Sequence, residues 1–131
     1  MKVLVTGATG FLGGYVVSEF ARSGYDVIAT GRNNARLQQL VDAATAAQAA
    51  ADPTDPTYPG TVTALVGDLA QLAELDLSVD VVVHAAALST VWGPWRDFYH
   101  TNVGGTQAVV DFCRRNAVRR LIFISSPSIY S

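Results

Sequence analysis

The 131-residue sequence predicts an α/β fold, a doubly wound parallel sheet with helices on both faces. Short apolar runs alternate with segments of helical periodicity in the order βαβαβαβαβ, and each helical segment can cross over between parallel strands. Glycines, polar residues or small alanines follow the predicted strands, at the edge where such sheets bind ligands. Half of the residues are hydrophobic, which is enough for the core of one domain. We therefore expect residues 1–131 to form one domain with a ligand site at this edge.

Apolar periodicity, together with the glycines and prolines that interrupt it, predicts the individual elements. The strands are expected at 3–6, 26–30, 61–66, 79–84 and 120–125, and the helices at 11–23, from about 35 onward, around 72–75 and at about 94–116. Gly24 is suited to end the first helix, and Asn34 is suited to cap the second. Residues 43–60 contain three prolines, at 53, 56 and 59, and predict a surface loop inserted before the third strand.

The composition excludes several functional classes. The net charge is −2 and no basic cluster exceeds two adjacent arginines, so we expect no nucleic-acid partner. Cys113 is the single cysteine, which prevents an internal disulfide and fits a cytoplasmic location. No apolar run reaches the length of a membrane span or a signal-peptide core. His84 and His100 lack the carboxylate spacing of a metal site, and we expect His84 to end a buried strand with one hydrogen bond.

The glycines that follow the first strand predict an anion site. Gly7, Gly10 and Gly13 form a G-x-x-G-x-x-G pattern between a strand and a helix. Gly7 permits the sharp turn, Gly10 permits close approach of a pyrophosphate, and Gly13 permits close helix packing. The backbone amides of this turn and the positive end of the helix dipole would hold the anion. The remaining predicted contacts of this turn are Ala8, Thr9, Phe11 and Leu12. The alternative is an ordinary glycine-rich turn.

The end of the second strand lacks the acid that typically binds the ribose 2′-hydroxyl of NAD. Arg32 stands there instead, and a guanidinium can pair with a 2′-phosphate. The sequence therefore favours NADP over NAD, although a solvated surface arginine is the alternative. Asp68 could accept a hydrogen bond from the adenine amino group, with Leu69 against the ring; alternatively, Asp68 caps the following helix.

Two further segments are candidates for the site. Ala85, Ala86 and Ala87 offer small side chains that suit a wall against ribose or nicotinamide, or that simply allow tight packing. Asn102 is polar within a predicted helix and could order a water near the site, or face solvent.

Segments 5–13, 67–69, 84–87, 102–106 and 125–130 together resemble the N-terminal half of the extended short-chain dehydrogenases/reductases, which include NAD-dependent epimerases and dehydratases. Residues 92–99 and 126–130 are similar to the 3β-hydroxysteroid and sterol 4-carboxylate dehydrogenase branch, and equally to 2-alkyl-3-oxoalkanoate reductases. The resemblance implies a Rossmann-like sheet that is truncated before a C-terminal substrate lobe.

The family's catalytic residues are Asn, Ser, Tyr and Lys, and the resemblance assigns the first two to Asn102 and Ser126. Ser125 is the alternative serine and is expected to contact the cofactor. Tyr130 does not match the family's Tyr-x-x-x-Lys pair because no lysine follows it. The resemblance thus implies an NADP-dependent oxidoreductase that interconverts an alcohol and a ketone on a small sterol-like or long-chain lipid substrate. A homodimer is possible for the full-length form, and this chain alone is expected to be inactive. The alternatives are a nucleotide-sugar epimerase or dehydratase and a non-catalytic dinucleotide-binding module.

Overall fold

The computed structural model describes residues 1–85 and 105–124. Within these residues, five strands are present: β1 (Lys2–Thr6), β2 (Asp26–Gly31), β3 (Val62–Val66), β4 (Val81–His84) and β5 (Arg120–Phe123). All neighbouring pairs are parallel, and the strand order is β3-β2-β1-β4-β5. The chain winds outward from β1 in one direction and then from β4 in the other, so the strand order reverses between β1 and β4. This arrangement confirms the predicted doubly wound sheet.

Four helices are described: α1 (Phe11–Arg22), α2 (Asn34–Ala49), α3 (Leu69–Leu72) and α4 (Gly105–Arg115). The chain leaves α1 through Ser23 and then Gly24, whose φ of +93° is the left-handed conformation that follows many helices. The cap of α2 is Asn33 rather than the predicted Asn34. Asn33 has an extended backbone and its Oδ1 accepts a hydrogen bond from the Arg36 amide at 3.2 Å, whereas Asn34 is already helical.

The segment 43–60, predicted as a surface loop, is helical as far as Ala49. Alanines favour a helix intrinsically, and Leu40 and Ala44 also pack against the core. The irregular part is anchored at its end, where the Gly60 amide donates to the Ala21 carbonyl oxygen at 2.8 Å. Helix α3 likewise begins earlier than predicted, because Asp68 forms a capping box immediately before it.

Hydrophobic side chains cover both faces of the sheet. Val3 and Val5 of β1 point to one face and Leu4 points to the other, as expected for a strand buried on both sides. On the first face they pack with residues of α1 and α2, including Val17 and Leu37. The second face packs against α3 and α4. Both faces are therefore occupied, and the carboxyl edge of the sheet is where the strand ends meet.

Candidate functional site

A row of backbone hydrogen bonds joins the carboxyl ends of the strands. The donor and acceptor pairs are Gly67 N to Gly31 O (3.0 Å), Ala8 N to Thr30 O (3.2 Å), Ala85 N to Thr6 O (3.3 Å) and Ile124 N to His84 O (3.1 Å). Each bond fixes the first residues after one strand against the last residues of its neighbour. The predicted site residues of the glycine turn, the end of β2 and the turn before α3 therefore lie along one edge.

The glycine turn delivers the chain into α1 with an open helix N-terminus. Gly7 has a φ of +66°, which only glycine adopts without strain, and its carbonyl oxygen accepts a hydrogen bond from the Gly10 amide at 3.1 Å. Gly10 is the N-cap of α1 and has no side chain to cap the helix. Within the described part of the chain, no side chain caps the first amides of this 12-residue helix. This arrangement fits a bound anion such as a pyrophosphate.

Gly13 and Gly10 are glycines for different reasons. A Cβ atom at Gly13 would lie 2.0 Å from the Gly7 carbonyl oxygen and 3.1 Å from the Ala8 Cα, so α1 packs directly on the turn. A Cβ atom at Gly10 would meet only the Gly7 oxygen, at 3.5 Å, among the described residues. Since 3.5 Å is an ordinary contact, internal packing does not require glycine at position 10. The close approach of a ligand gives a physical reason for it.

Arg32 follows β2 and is exposed. Its guanidinium makes no hydrogen bond or ion pair with any part of the chain that the structure describes. The N-terminus of the 16-residue helix α2 follows at once, with Asn33 as its cap. The positive end of this helix dipole adds to the arginine charge. The end of β2 therefore presents positive potential and no acid.

Asp68 and Leu69 both have structural roles. Asp68 Oδ1 accepts a hydrogen bond from the Gln71 amide at 3.2 Å, and Gln71 Oε1 accepts one from the Asp68 amide at 3.1 Å. The helix-cap alternative for Asp68 is thus confirmed. Leu69 is partly buried, and its Cδ1 would lie 2.6 Å from a Cβ atom at Gly105. Leu69 therefore holds α3 against the start of α4.

Thr6 and His84 pair at the point where the strand order reverses. Thr6 Oγ1 lies 2.7 Å from His84 Nδ1, and the Ala85 amide donates to the same oxygen at 3.1 Å. Both side chains are fully buried, and burial lowers the pKa of His84 below its ordinary value of 6.5. The Phe123 ring packs edge-on, with ring centroids 5.0 Å apart. His84 thus ends a buried strand with one hydrogen bond, as the sequence predicted, and the threonine partner was not anticipated.

Comparison with known proteins places these features in a family. The model of the NAD-dependent epimerase/dehydratase family matches residues 3–131. The chain belongs to this family. Two curated relatives are a 2-alkyl-3-oxoalkanoate reductase of Stenotrophomonas maltophilia, 30% identical over 98% of this chain, and a decarboxylating sterol-4-alpha-carboxylate 3-dehydrogenase of Dictyostelium discoideum, 29% identical over 98%. The resemblance inferred from the sequence motifs is thereby confirmed.

Solved structures show the same fold. MoeE5, in complex with UDP-glucose and NAD, is 31% identical and superposes with a TM-score of 0.72, covering 100% of this chain and 38% of its own. The yeast methylglyoxal/isovaleraldehyde reductase Gre2, complexed with NADPH, is 22% identical with a TM-score of 0.73, covering 96% of this chain and 37% of its own. The chain spans 34% and 36% of the two curated relatives. Both a nicotinamide dinucleotide and its phosphorylated form thus occur on this fold.

For this member of the epimerase/dehydratase family, part of the predicted site lies outside the described residues. These residues are the wall candidates Ala86 and Ala87 and the polar candidates Asn102, Ser125 and Ser126. Ala85 is placed at the carboxyl edge beside Thr6. The assignment of Asn102 and Ser126 to catalysis stays a prediction.

Residues 1–85 and 105–124 contain neither a metal-binding cluster nor a membrane-spanning helix. No group of three or more histidine, cysteine or acidic side chains is arranged there to hold a metal ion. In the same ranges, no helix combines the length and the apolar character needed to cross a bilayer.

Proposed function

We propose that the chain is the cofactor-binding part of an NADP-dependent oxidoreductase that interconverts a secondary alcohol and a ketone on a sterol-like or long-chain lipid substrate. The observation that carries the NADP assignment is the exposed guanidinium of Arg32 at the end of β2, which has no partner among residues 1–85 and 105–124. An acid is absent from this strand end, and the N-terminus of α2 adds a second positive feature.

Each group of residues along the carboxyl edge would bind a different part of the dinucleotide. The glycine turn and the first amides of α1 would hold the pyrophosphate, because Gly10 leaves space and no side chain that the structure describes competes for these amides. Arg32 would pair with the 2′-phosphate through charge-assisted hydrogen bonds. Asp68 caps α3 with one carboxylate oxygen, which leaves the other for the adenine amino group. Ala85 would line the nicotinamide end.

The bound dinucleotide would supply or accept a hydride at the substrate carbon. By resemblance to the family, Ser126 would position the substrate carbonyl oxygen and Asn102 would position an ordered water. The family's tyrosine–lysine pair matches no residue of this sequence. The chain alone is therefore proposed to bind cofactor without turnover, and a homodimer of the full-length protein is a further proposal.

The reductase and sterol dehydrogenase names of the two curated relatives support the proposed substrate class. A nucleotide-sugar epimerase or dehydratase is a second candidate, and the 31% identity to MoeE5, solved with UDP-glucose, supports it. The two candidates differ in their cofactor chemistry. An epimerase returns its hydride to the same substrate and keeps its cofactor bound, whereas a reductase exchanges its cofactor in every turnover.

The cofactor assignment is tested by fluorescence titration of the protein expressed from its complete reading frame with NADPH and with NADH. NADPH should bind more tightly, and Arg32→Ala should weaken NADPH binding at least about tenfold, because charge-assisted hydrogen bonds contribute about 1.5–3 kcal/mol. Arg120→Ala is the matched control, since Arg120 is exposed and starts β5 at the opposite edge. Tighter binding of NADH, or an unchanged NADPH affinity in Arg32→Ala, contradicts the assignment.

The substrate class is tested by assaying the same protein with β-keto lipids, 3-hydroxysterols and UDP- or dTDP-sugars. We expect NADPH consumption with a keto lipid or NADPH formation with a sterol. Activity on a sugar nucleotide alone supports the epimerase candidate instead. Binding of cofactor with no turnover of any of these classes favours the non-catalytic module.

A further inference from the structure

The end of β2 is covered by the side chain of Thr9 from the glycine turn. A Cβ atom at Gly31 would lie 2.9 Å from Thr9 Cγ2, 3.3 Å from its Oγ1 and 3.7 Å from its Cβ. Real Cβ atoms do not approach carbon atoms to 2.9 Å, so any side chain at position 31 requires Thr9 to move. The tightest of these contacts is made by the Thr9 methyl group.

Backbone conformation does not explain the glycine at position 31. The glycines with positive φ among the described residues are Gly7 and Gly24, and Gly31 instead belongs to β2, where it pairs in register with Val66. Any residue can adopt this extended conformation. The contact with Thr9 therefore gives the physical reason for glycine at this position.

Backbone hydrogen bonds hold both the glycine turn that carries Thr9 and the end of β2 that carries Gly31. The Ala8 amide donates to the Thr30 carbonyl oxygen at 3.2 Å, and the Gly67 amide donates to the Gly31 carbonyl oxygen at 3.0 Å. The turn that carries Thr9 and the strand end that carries Gly31 are thus each tied to a neighbour. Threonine is branched at Cβ and stiff in χ1, so its methyl group is not easily displaced.

We propose that Thr9 determines cofactor specificity by excluding a side chain from position 31 at the end of β2. This inference rests on the proposed dinucleotide function. An acid at the end of β2 is the group that binds the 2′-hydroxyl of NAD in sheets of this kind. With Thr9 over Gly31, an aspartate at this position cannot reach its place without displacing the methyl group. The strand end then offers only Arg32, which selects the 2′-phosphate.

The test is a mutant cycle in the protein expressed from its complete reading frame, with Kd values for NADH and NADPH measured by fluorescence titration. Gly31→Asp alone should gain little NADH affinity, because Thr9 blocks the carboxylate. Gly31→Asp with Thr9→Ser, which deletes the methyl group and keeps the hydroxyl, should bind NADH at least about tenfold more tightly than Gly31→Asp alone. Gly31→Asp with Thr9→Val keeps the methyl group and is the matched control, which should stay blocked.

Equal NADH affinity in Gly31→Asp and in its Thr9→Ser double variant overturns the inference, as does an equal gain with Thr9→Val. Thermal melting of Gly31→Ala gives a second readout if the aspartate variants do not fold. Its melting temperature should fall below that of the parent protein and should recover when Thr9→Ser is added; a loss that persists also overturns the inference. A parent protein that binds neither cofactor refutes the proposed function, whereas a parent that prefers NADPH with no coupling refutes this inference alone.

Discussion

The hydroxyl of Thr6 lies 2.7 Å from Nδ1 of His84, across the two strands between which the strand order reverses. The two residues are direct register partners in β1 and β4. The Thr6 oxygen also accepts from the Ala85 amide at 3.1 Å, so one side chain joins the ring to the start of the following segment. This pair lies at the carboxyl ends of β1 and β4, beside Ala85, where the nicotinamide end of the cofactor is proposed to lie.

Removing the Thr6 hydroxyl should destabilise the fold. Thr6→Val keeps the shape of the side chain but leaves His84 Nδ1 buried without a partner, which costs about 1–3 kcal/mol of unfolding free energy. Urea denaturation followed by circular dichroism measures this loss. Thr63→Val is the matched control, since Thr63 also lies in a strand but is exposed. A loss in the control as large as that in Thr6→Val would contradict the role of the buried pair.

Protonation of His84 should make the protein less stable below neutral pH. Burial lowers the His84 pKa in the folded state below 6.5. Just below pH 6.5, His84 is therefore protonated more in the unfolded chain than in the folded protein. The stabilisation is complete above pH 6.5 and is lost as the pH falls below that value, by up to about 1.4 kcal/mol per pH unit.

Urea denaturation at several values between about pH 5 and pH 7 checks this dependence. His84→Gln should remove the slope in this range. Hydrogen bonds from Thr61, the backbone amide first, hold the pKa of Asp26 below 3.8. The stability contributed by Asp26 is therefore present above pH 3.8 and is lost only at more acidic pH, outside the range of the His84 experiment. An equal slope in the parent protein and in His84→Gln would show that another group is responsible.

Two adjacent glycines of α1 should respond in opposite ways to the same substitution. Gly13→Ala places a Cβ atom 2.0 Å from the Gly7 carbonyl oxygen, and overpacking of this kind costs about 1–3 kcal/mol or more. Gly14→Ala meets the Ala8 oxygen at 3.4 Å and Leu40 at 3.8 Å, which are ordinary contacts. An alanine in a helix interior is favoured over glycine by about 0.5–1 kcal/mol.

Thermal melting of the two variants provides the comparison. Gly13→Ala should melt at a lower temperature than the parent protein, and Gly14→Ala at an equal or higher one. Gly13→Ala should also weaken cofactor binding, because the clash moves the turn whose amides are proposed to hold the pyrophosphate. Similar melting temperatures for the two variants would mean that α1 does not pack on the turn as closely as the 2.0 Å distance requires.

The sequence predicts the doubly wound parallel sheet and the edge at which the site lies, because local sequence patterns determine both. Alternation and apolar runs identify the strands, and the glycines of the first turn mark the anion site. The end of α2 was not predictable from periodicity, because the alanine-rich segment after Asp42 has helix propensity but little apolar pattern. Its helical state depends on Ala44 packing against the core.

Two kinds of detail could not be predicted from the sequence: the exact cap of α2 and the contacts between distant segments. Asn33 and Asn34 are both suitable caps, and only the backbone dihedral angles show that Asn33 is the cap. The Thr6 partner of His84 depends on the register of β1 against β4. The contact between Thr9 and Gly31 likewise requires the glycine turn to fold back on β2.

The two roles assigned to Asp68 can be separated by substitution. Asp68→Ser keeps a side-chain oxygen that can cap α3, but its short hydroxyl cannot also reach an adenine amino group. Asp68→Ala removes both functions. The cap is worth about 1 kcal/mol, so Asp68→Ala should lower the unfolding free energy by that amount and Asp68→Ser by much less.

If the second carboxylate oxygen binds adenine, both variants should weaken NADPH binding by a similar factor, because neither retains the carboxylate. Urea denaturation and NADPH titration of the two proteins measure the two roles independently. Unchanged NADPH affinity in Asp68→Ser, together with weaker binding in Asp68→Ala, would show that Asp68 acts on the cofactor only through the stability of α3.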